Sequence, residues 1–207
     1  MAPFGDAVRS EAELRALFPQ PTHNSYRKQI DRLDGHCHEL IAAAPIVFVA
    51  TAGADGRCDV SPRGGPPGWV LPLDEHRLLL PEGRGNNRLD SLANLLQSPR
   101  IGLLFVIPGR NETLRVNGTA TLTTDPELLK LVPLRDRVPP LAIGVEADEV
   151  FTHCGKAFIR SELWDPETWP GRDVLPSPAE VLRAHTGTAT VEEAQARLDE
   201  SYTQRLW

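Results

Sequence analysis

The chain has 207 residues, enough for one compact domain with extensions or two very small ones, and its 41% hydrophobic and 24% charged residues are those of a folded globular protein. Its 28 acidic residues against 22 basic ones leave a net charge of −6, which argues against a nucleic-acid partner. The longest apolar stretches, about Ala42 to Ala52 and Ile101 to Pro108, fall short of the roughly 20 residues of a membrane span.

Two helical signals open the chain. Ser10 followed by Glu13 forms a possible capping box ahead of Leu14, Leu17 and Phe18, and a second helix is expected over about Leu33 to Ala44, ending before Pro45. Pro19 to Tyr26 between them reads as a surface connection. The texture then turns to strands: Ile46 to Thr51, a turn at Gly53-Ala-Asp-Gly56, and Arg57 to Val60 predict a hairpin. Trp69 to Leu73 and Arg77 to Leu80 predict another strand pair. Arg88 to Gln97 carries Leu89, Leu92, Leu95 and Leu96 at helical spacing. Strands resume at Arg100 to Ile107 and Thr113 to Thr123, followed by a short helix at Asp125 to Leu131 and a strand at Leu141 to Phe151. After Phe158 come short helices, with capping boxes at Ser177 to Glu180 and Thr190 to Glu193. The expected fold is mainly β, a six-stranded antiparallel barrel with peripheral helices.

Four stretches carry chemistry. Leu80-Pro-Glu-Gly-Arg-Gly-Asn-Asn-Arg-Leu-Asp-Ser91 follows a strand and opens a helix; its free N–H groups, Arg84, Arg88 and the amides of Asn86 and Asn87 suit an anion, although an exposed connection reads equally well. It lacks the Gly-Lys-Ser/Thr of a P-loop, and Arg88 stands at the third glycine of a dinucleotide fingerprint. Asp59 to Gly68 offers Ser61, Arg63 and adjacent glycines against which a flat ligand can lie, with Pro66-Pro67 reading as a plain turn. In Glu112 to Gly118, alternation sets Thr113 and Arg115 on one strand face, toward a pocket or toward solvent. His153 and Cys154, in the stretch from Thr152 to Ser161, are neighbours pointing to opposite faces, and His36-Cys37-His38 do not share a helical face, so no metal is expected. There is no Gly-x-Ser-x-Gly or His-Glu-x-x-His motif. Cys37, Cys58 and Cys154 imply no disulfide framework, and Met1-Ala-Pro-Phe-Gly-Asp lacks the regions of a secretory signal, so the expected location is cytoplasmic.

In their order, Asp-Val-Ser-Pro-Arg-Gly, Gly-Asn-Asn-Arg-Leu-Asp-Ser-Leu, Leu-Arg-Val-Asn-Gly and Cys-Gly-Lys-Ala-x-x-Arg-Ser-x-Leu-Trp resemble the pyridoxamine 5′-phosphate oxidase-like family of FMN-binding split barrels over roughly Ala43 to Trp164. The resemblance implies a six-stranded Greek-key barrel and a homodimer with one FMN in each of two clefts between subunits. It implies that Val60, Ser61, Pro62 and Arg63 run beside the isoalloxazine, and that Asn86, Asn87 and Arg88 hold the 5′-phosphate. Thr113 and Arg115 would reach the cleft from the other subunit, and Lys156 and Trp164 would close it.

The implied domains are a helical extension at 1–42, the FMN-binding barrel at 43–164 and a helical tail at 165–207 packed on the barrel. The implied activity is that of an oxidoreductase acting on a small molecule, with no side-chain acid or base required and no catalytic residue named. Pyridoxine or pyridoxamine phosphate oxidation is one alternative; the chain, ending Gln204-Arg-Leu-Trp207, lacks the Arg-Leu-x-Pro type segment of the oxidase itself. A non-catalytic flavin or haem binder is another, with His153 or His185 as the axial ligand, and a deazaflavin reductase is a third.

Overall fold

The structure is a computed structural model describing residues 4–83, 85, 87–187 and 190–204. Helix α1 (Glu11–Leu17) starts where Ser10 accepts from the Glu13 N–H, while the Glu13 carboxylate takes the N–H of Arg9. The expected connection at Pro19 to Tyr26 contains a helix instead, α2 (His23–Arg27), too short to leave a periodic signal. Helix α3 (Gly35–Ala43) is capped by Asp34, whose carboxylate accepts the Cys37 N–H. Burial pushes the Cys37 thiol up to about 11, so it stays a protonated packing group.

The strands are β1 (Ile46–Ala52), β2 (Cys58–Gly64), β3 (Leu71–Pro72), β4 (Arg77–Glu82), β5 (Arg100–Val106), β6 (Thr113–Thr123) and β7 (Leu141–His153). Helices α4 (Asp90–Gln97) and α5 (Pro126–Leu131) lie between them. After β7 follow α6 (Lys156–Arg160), α7 (Pro178–Thr186) and α8 (Val191–Gln204). Among the described residues the sheet has seven strands against the six expected of the barrel, and the strand expected over Trp69 to Leu73 shortens to the two-residue β3. All pairings are antiparallel, in the order β2-β1-β5-β6-β7-β4-β3.

The sheet curls around one core that includes Val47, Val49, Leu103, Phe105, Leu114, Val116, Ile143 and Val150, with Leu33 and Ile41 from the N-terminal segment. Leu78, Leu79 and Leu80 break the alternation expected of a half-solvated strand. Leu78 and Leu80 enter this core, while Leu79 faces outward under Leu129 of α5 in a second cluster, so β4 is buried on both faces. Ile30 exchanges both backbone hydrogen bonds with Val150, tying the N-terminal segment to the end of β7. At the other end of the chain, Ser177 and Glu180 form a complete capping box for α7, which packs on α8.

Between Asn117 and Gly118 the β6–β7 register slips by a bulge. A Cβ on Gly118 would overlap the Glu146 carbonyl, which is why glycine stands there.

Candidate functional site

Because β1 alternates with Val47, Val49 and Thr51 turned inward, its partner β2 turns Asp59, Ser61 and Arg63 inward too. At this edge of the sheet no further strand covers them. The curl brings the end of β4 opposite, and Arg63 Nε donates to Glu82 Oε2 at 3.0 Å across the opening. The start of α4 fills the third side. Ser91, in its first turn and 2% exposed, donates to Asp59 and lies 2.9 Å from the Ser61 hydroxyl. Arg63 Nη1 donates to Ser61 Oγ at 2.8 Å and Nη2 to Ser91 Oγ at 3.4 Å. One guanidinium thus joins the first strand of the sheet order, the sixth strand in that order and the helix that follows β4.

A cavity of about 1030 Å³ opens at this network, at the top of the range of roughly 300–1,000 Å³ for small-molecule sites. Gly64, Gly65, Gly83 and Gly85 give it smooth walls, and Trp69 forms part of its side. Gly65 has no alternative, since a Cβ there would come 2.6 Å from Trp69 Cγ. The mouth carries Asn87, Arg88 and Leu89. Asn87 and Leu89 have φ of 59° and 60°, a conformation that asparagine tolerates and leucine adopts only under strain. Leu89 occupies the N-cap of α4 and offers no capping side chain to the first N–H groups of the helix, groups of the kind that suit an anion. Arg88 Nε donates to Asp90 Oδ2 at 2.7 Å.

Of the residues singled out in the sequence, Ser61, Pro62, Arg63, Asn87 and Arg88 therefore meet at one cavity. Asn86 and Arg84 lie outside the described residues. Val60 does not enter: its side chain is 64% exposed on the outer sheet face, because inward Ser61 and Arg63 force Val60 outward. Thr113, Arg115, Lys156 and Trp164 are not among the cavity's walls, and neither are His153 and His185. Trp164 stacks on Phe158 at 5.7 Å and donates to the Arg110 carbonyl at 3.0 Å, while Lys156 begins α6, exposed. The sequence reading missed Asp59, Glu82, Ser91 and Trp69. Asp59 was accessible from alternation, two residues before Ser61; no local signal marks Glu82, whose partner is on a strand it never pairs with.

Arg115 sits on the same outer face as Val60. The registers run Val60–Ala50 and Pro62–Phe48 from β2 to β1, then Phe48–Leu104–Arg115–Phe151 across β1, β5, β6 and β7. Arg115 lies 5.1 Å from the Phe151 ring centre and Lys28 Nζ 5.3 Å, with Lys28 also donating to the Thr152 carbonyl. Burial, then Arg115 and Lys28, hold the His153 imidazole below its ordinary value.

Folded His153 resists the proton that the unfolded chain accepts, so its contribution to stability is whole above the unfolded value near pH 6.5 and falls as pH drops from there toward the folded value. Urea midpoints measured from about pH 7.5 down to pH 5 are expected to fall less in His153→Gln than in the wild type; equal falls contradict the assignment.

A curled antiparallel sheet, open between β2 and β4 and holding an arginine-bearing cavity in the opening, is a split barrel. The family model described as pyridoxamine 5′-phosphate oxidase matches residues 33–154, and the chain belongs to that family. No curated protein matches the sequence. Among solved structures, HupZ of Group A Streptococcus is 22% identical, with 57% of this chain and 92% of that one covered and a TM-score of 0.47. A protein of the pyridoxinephosphate oxidase family from Clostridium acetobutylicum, related to a general stress protein, is 19% identical over 54% and 81%, with a TM-score of 0.42. HutZ, the haem storage protein from Vibrio cholerae, is 13% identical over 59% and 94%, also at 0.42. Among the described residues, no helix is long and apolar enough to cross a membrane.

Proposed function

We propose that the protein binds FMN in this cavity and works with it as an oxidoreductase on a small molecule. The observation that carries the reading is the meeting of Ser61, Arg63, Asn87 and Arg88, from two separate stretches of sequence, around a glycine-walled space at an uncapped helix start. Its volume suits a ligand of FMN size, and membership of a family that commonly binds flavin points the same way. In this reading the phosphate lies at the start of α4 near Arg63, Arg88 and Asn87, and the ring system lies along Gly64, Gly65 and Trp69. Bound FMN supplies the hydride or electron transfer. The chain orients it and walls one side off from water.

Two protomers pairing through the outer face of β2, β1, β5 and β6 complete the site in this reading. Phe48 (36% exposed), Val60 and half-buried Leu104 make that face apolar, and Arg115 would approach the partner's cofactor from it, beside the buried Thr113, with Lys156 and Trp164 closing over. The barrel of residues 43–164 is then the FMN-binding unit, and the helices before and after it are additions to that unit, α7 packing on α8.

Arg88→Ala tests the phosphate placement. FMN affinity is expected to fall about tenfold, the low end for a charged hydrogen bond, because this guanidinium is exposed and already holds Asp90. Riboflavin, lacking the phosphate, is expected to bind variant and wild type alike. An equal loss for both flavins would make Arg88 a structural residue. Sedimentation of the purified protein as a monomer would contradict the shared site.

A further inference from the structure

We infer that Glu82 occupies, at Arg63, the place a ligand phosphate would take, and thereby makes FMN an exchangeable ligand rather than a permanently held one. The inference rests on the FMN reading above. Arg63 and Glu82 have side chains only 22% and 16% exposed, so their pairing is weakly screened. Of the five guanidinium N–H bonds, Nε–H goes to Glu82, the two on Nη1 to Ser61 Oγ and the Pro62 carbonyl, and one on Nη2 to Ser91 Oγ. Asp59 stands behind Ser91 as a second carboxylate. The described cavity wall holds Arg63, Arg88 and Arg135 and as many acids, Asp59, Glu82 and Asp90, with Arg63 paired to Glu82 and Arg88 to Asp90.

A phosphate dianion entering this cavity therefore meets no idle cation at Arg63. It has to draw the guanidinium away from Glu82, and that carboxylate is then left half-buried beside the newcomer with its charge uncompensated. The opposition falls on the phosphate alone. A flavin without one leaves the Arg63–Glu82 pair in place. Without ligand the pair has its own use: it holds Arg63 aimed into the opening and spans the split between β2 and β4, which no ladder joins. Glu82 is thus a positioning residue for Arg63 and a competitor for it.

Glu82→Gln keeps the shape and an oxygen for Arg63 Nε–H but removes the charge, and Glu82→Asp keeps the charge. Titration of wild type and both variants with FMN and with riboflavin separates the possibilities. The ratio of FMN to riboflavin affinity is expected to rise roughly tenfold or more in Glu82→Gln, with slower FMN release, and to stay near the wild-type value in Glu82→Asp. A structural role would move both flavins together. Binding of both flavins with a ratio unchanged or lowered in Glu82→Gln overturns the inference and leaves the FMN reading standing. Failure of the wild type to bind either flavin overturns both.

The wild type offers an independent reading should Glu82→Gln not fold. FMN-loaded protein passed repeatedly through a desalting column is expected to lose its yellow colour. Flavin retained through those passes contradicts the exchangeable ligand.

Discussion

Arg63→Ala is expected to weaken FMN binding at least a hundredfold, about 3 kcal/mol, and to lower the stability of the protein itself by about 2 kcal/mol. The first effect removes the cation that faces the proposed phosphate and leaves Asp59 and Glu82 facing it instead. The second arises because Glu82, 16% exposed, loses its partner. A fully buried pair broken on one side costs roughly 3–5 kcal/mol, and the partial exposure of this one reduces that figure. Arg63→Lys restores the charge but not the fork that reaches Glu82, Ser61 and Ser91 together, so stability is expected to recover only in part. Urea unfolding and FMN titration of the two variants report the two effects separately. Wild-type stability in Arg63→Ala would mean that the contact across the split carries nothing.

Gly118→Ala is the other large effect, and it concerns the frame rather than the cavity. The added Cβ would overlap the Glu146 carbonyl, a backbone atom fixed by the β6–β7 ladder, so no side-chain rotation relieves it. A loss of about 3 kcal/mol or failure to fold is expected, at the top of the range for overpacking. The measurement is the shift of the urea midpoint at constant slope. Gly102→Ala is its control, since a Cβ there meets no backbone atom, only the end of the Asn117 side chain at 3.2 Å and Ala50 Cβ at an ordinary 3.7 Å.

Much of the frame was legible because its signals are local. The turn at Gly53 to Gly56 and the β-branched run from Thr113 to Thr123 defined their elements, the latter to the residue. The helix over α4 was found, yet its apolar spacing overstated the buried face: Leu95 is buried, whereas Leu89 and Leu96 are 57% and 79% exposed. Leu89 serves as the N-cap rather than as part of the helix. α2 escaped because five residues are too few to show a period.

The site was legible only in part. Ser61, Arg63, Asn87 and Arg88 belong to strings readable in order, and the structure brings them to one cavity. The face assignment was not available from alternation alone, which says that Val60 and Ser61 point apart without saying which points in. Burial of Val47 and Val49 on the neighbouring strand decides it. Glu82 was invisible for a different reason. It meets Arg63 only because the whole sheet curls, and β2 and β4 share no ladder whose register a sequence could suggest. The residue that sequence reading could not find is the one that most changes the character of the site.

The proposed function requires FMN in the cavity between β2, β4 and α4. Its most direct measurement is a titration of the purified, flavin-stripped protein with FMN, followed by visible absorbance and flavin fluorescence, beside Arg63→Ala under the same conditions. The expected result is a saturable spectral change at one FMN per chain in the wild type and none over the same range in the variant. No saturable change in the wild type, or identical titrations of the two proteins, would contradict it.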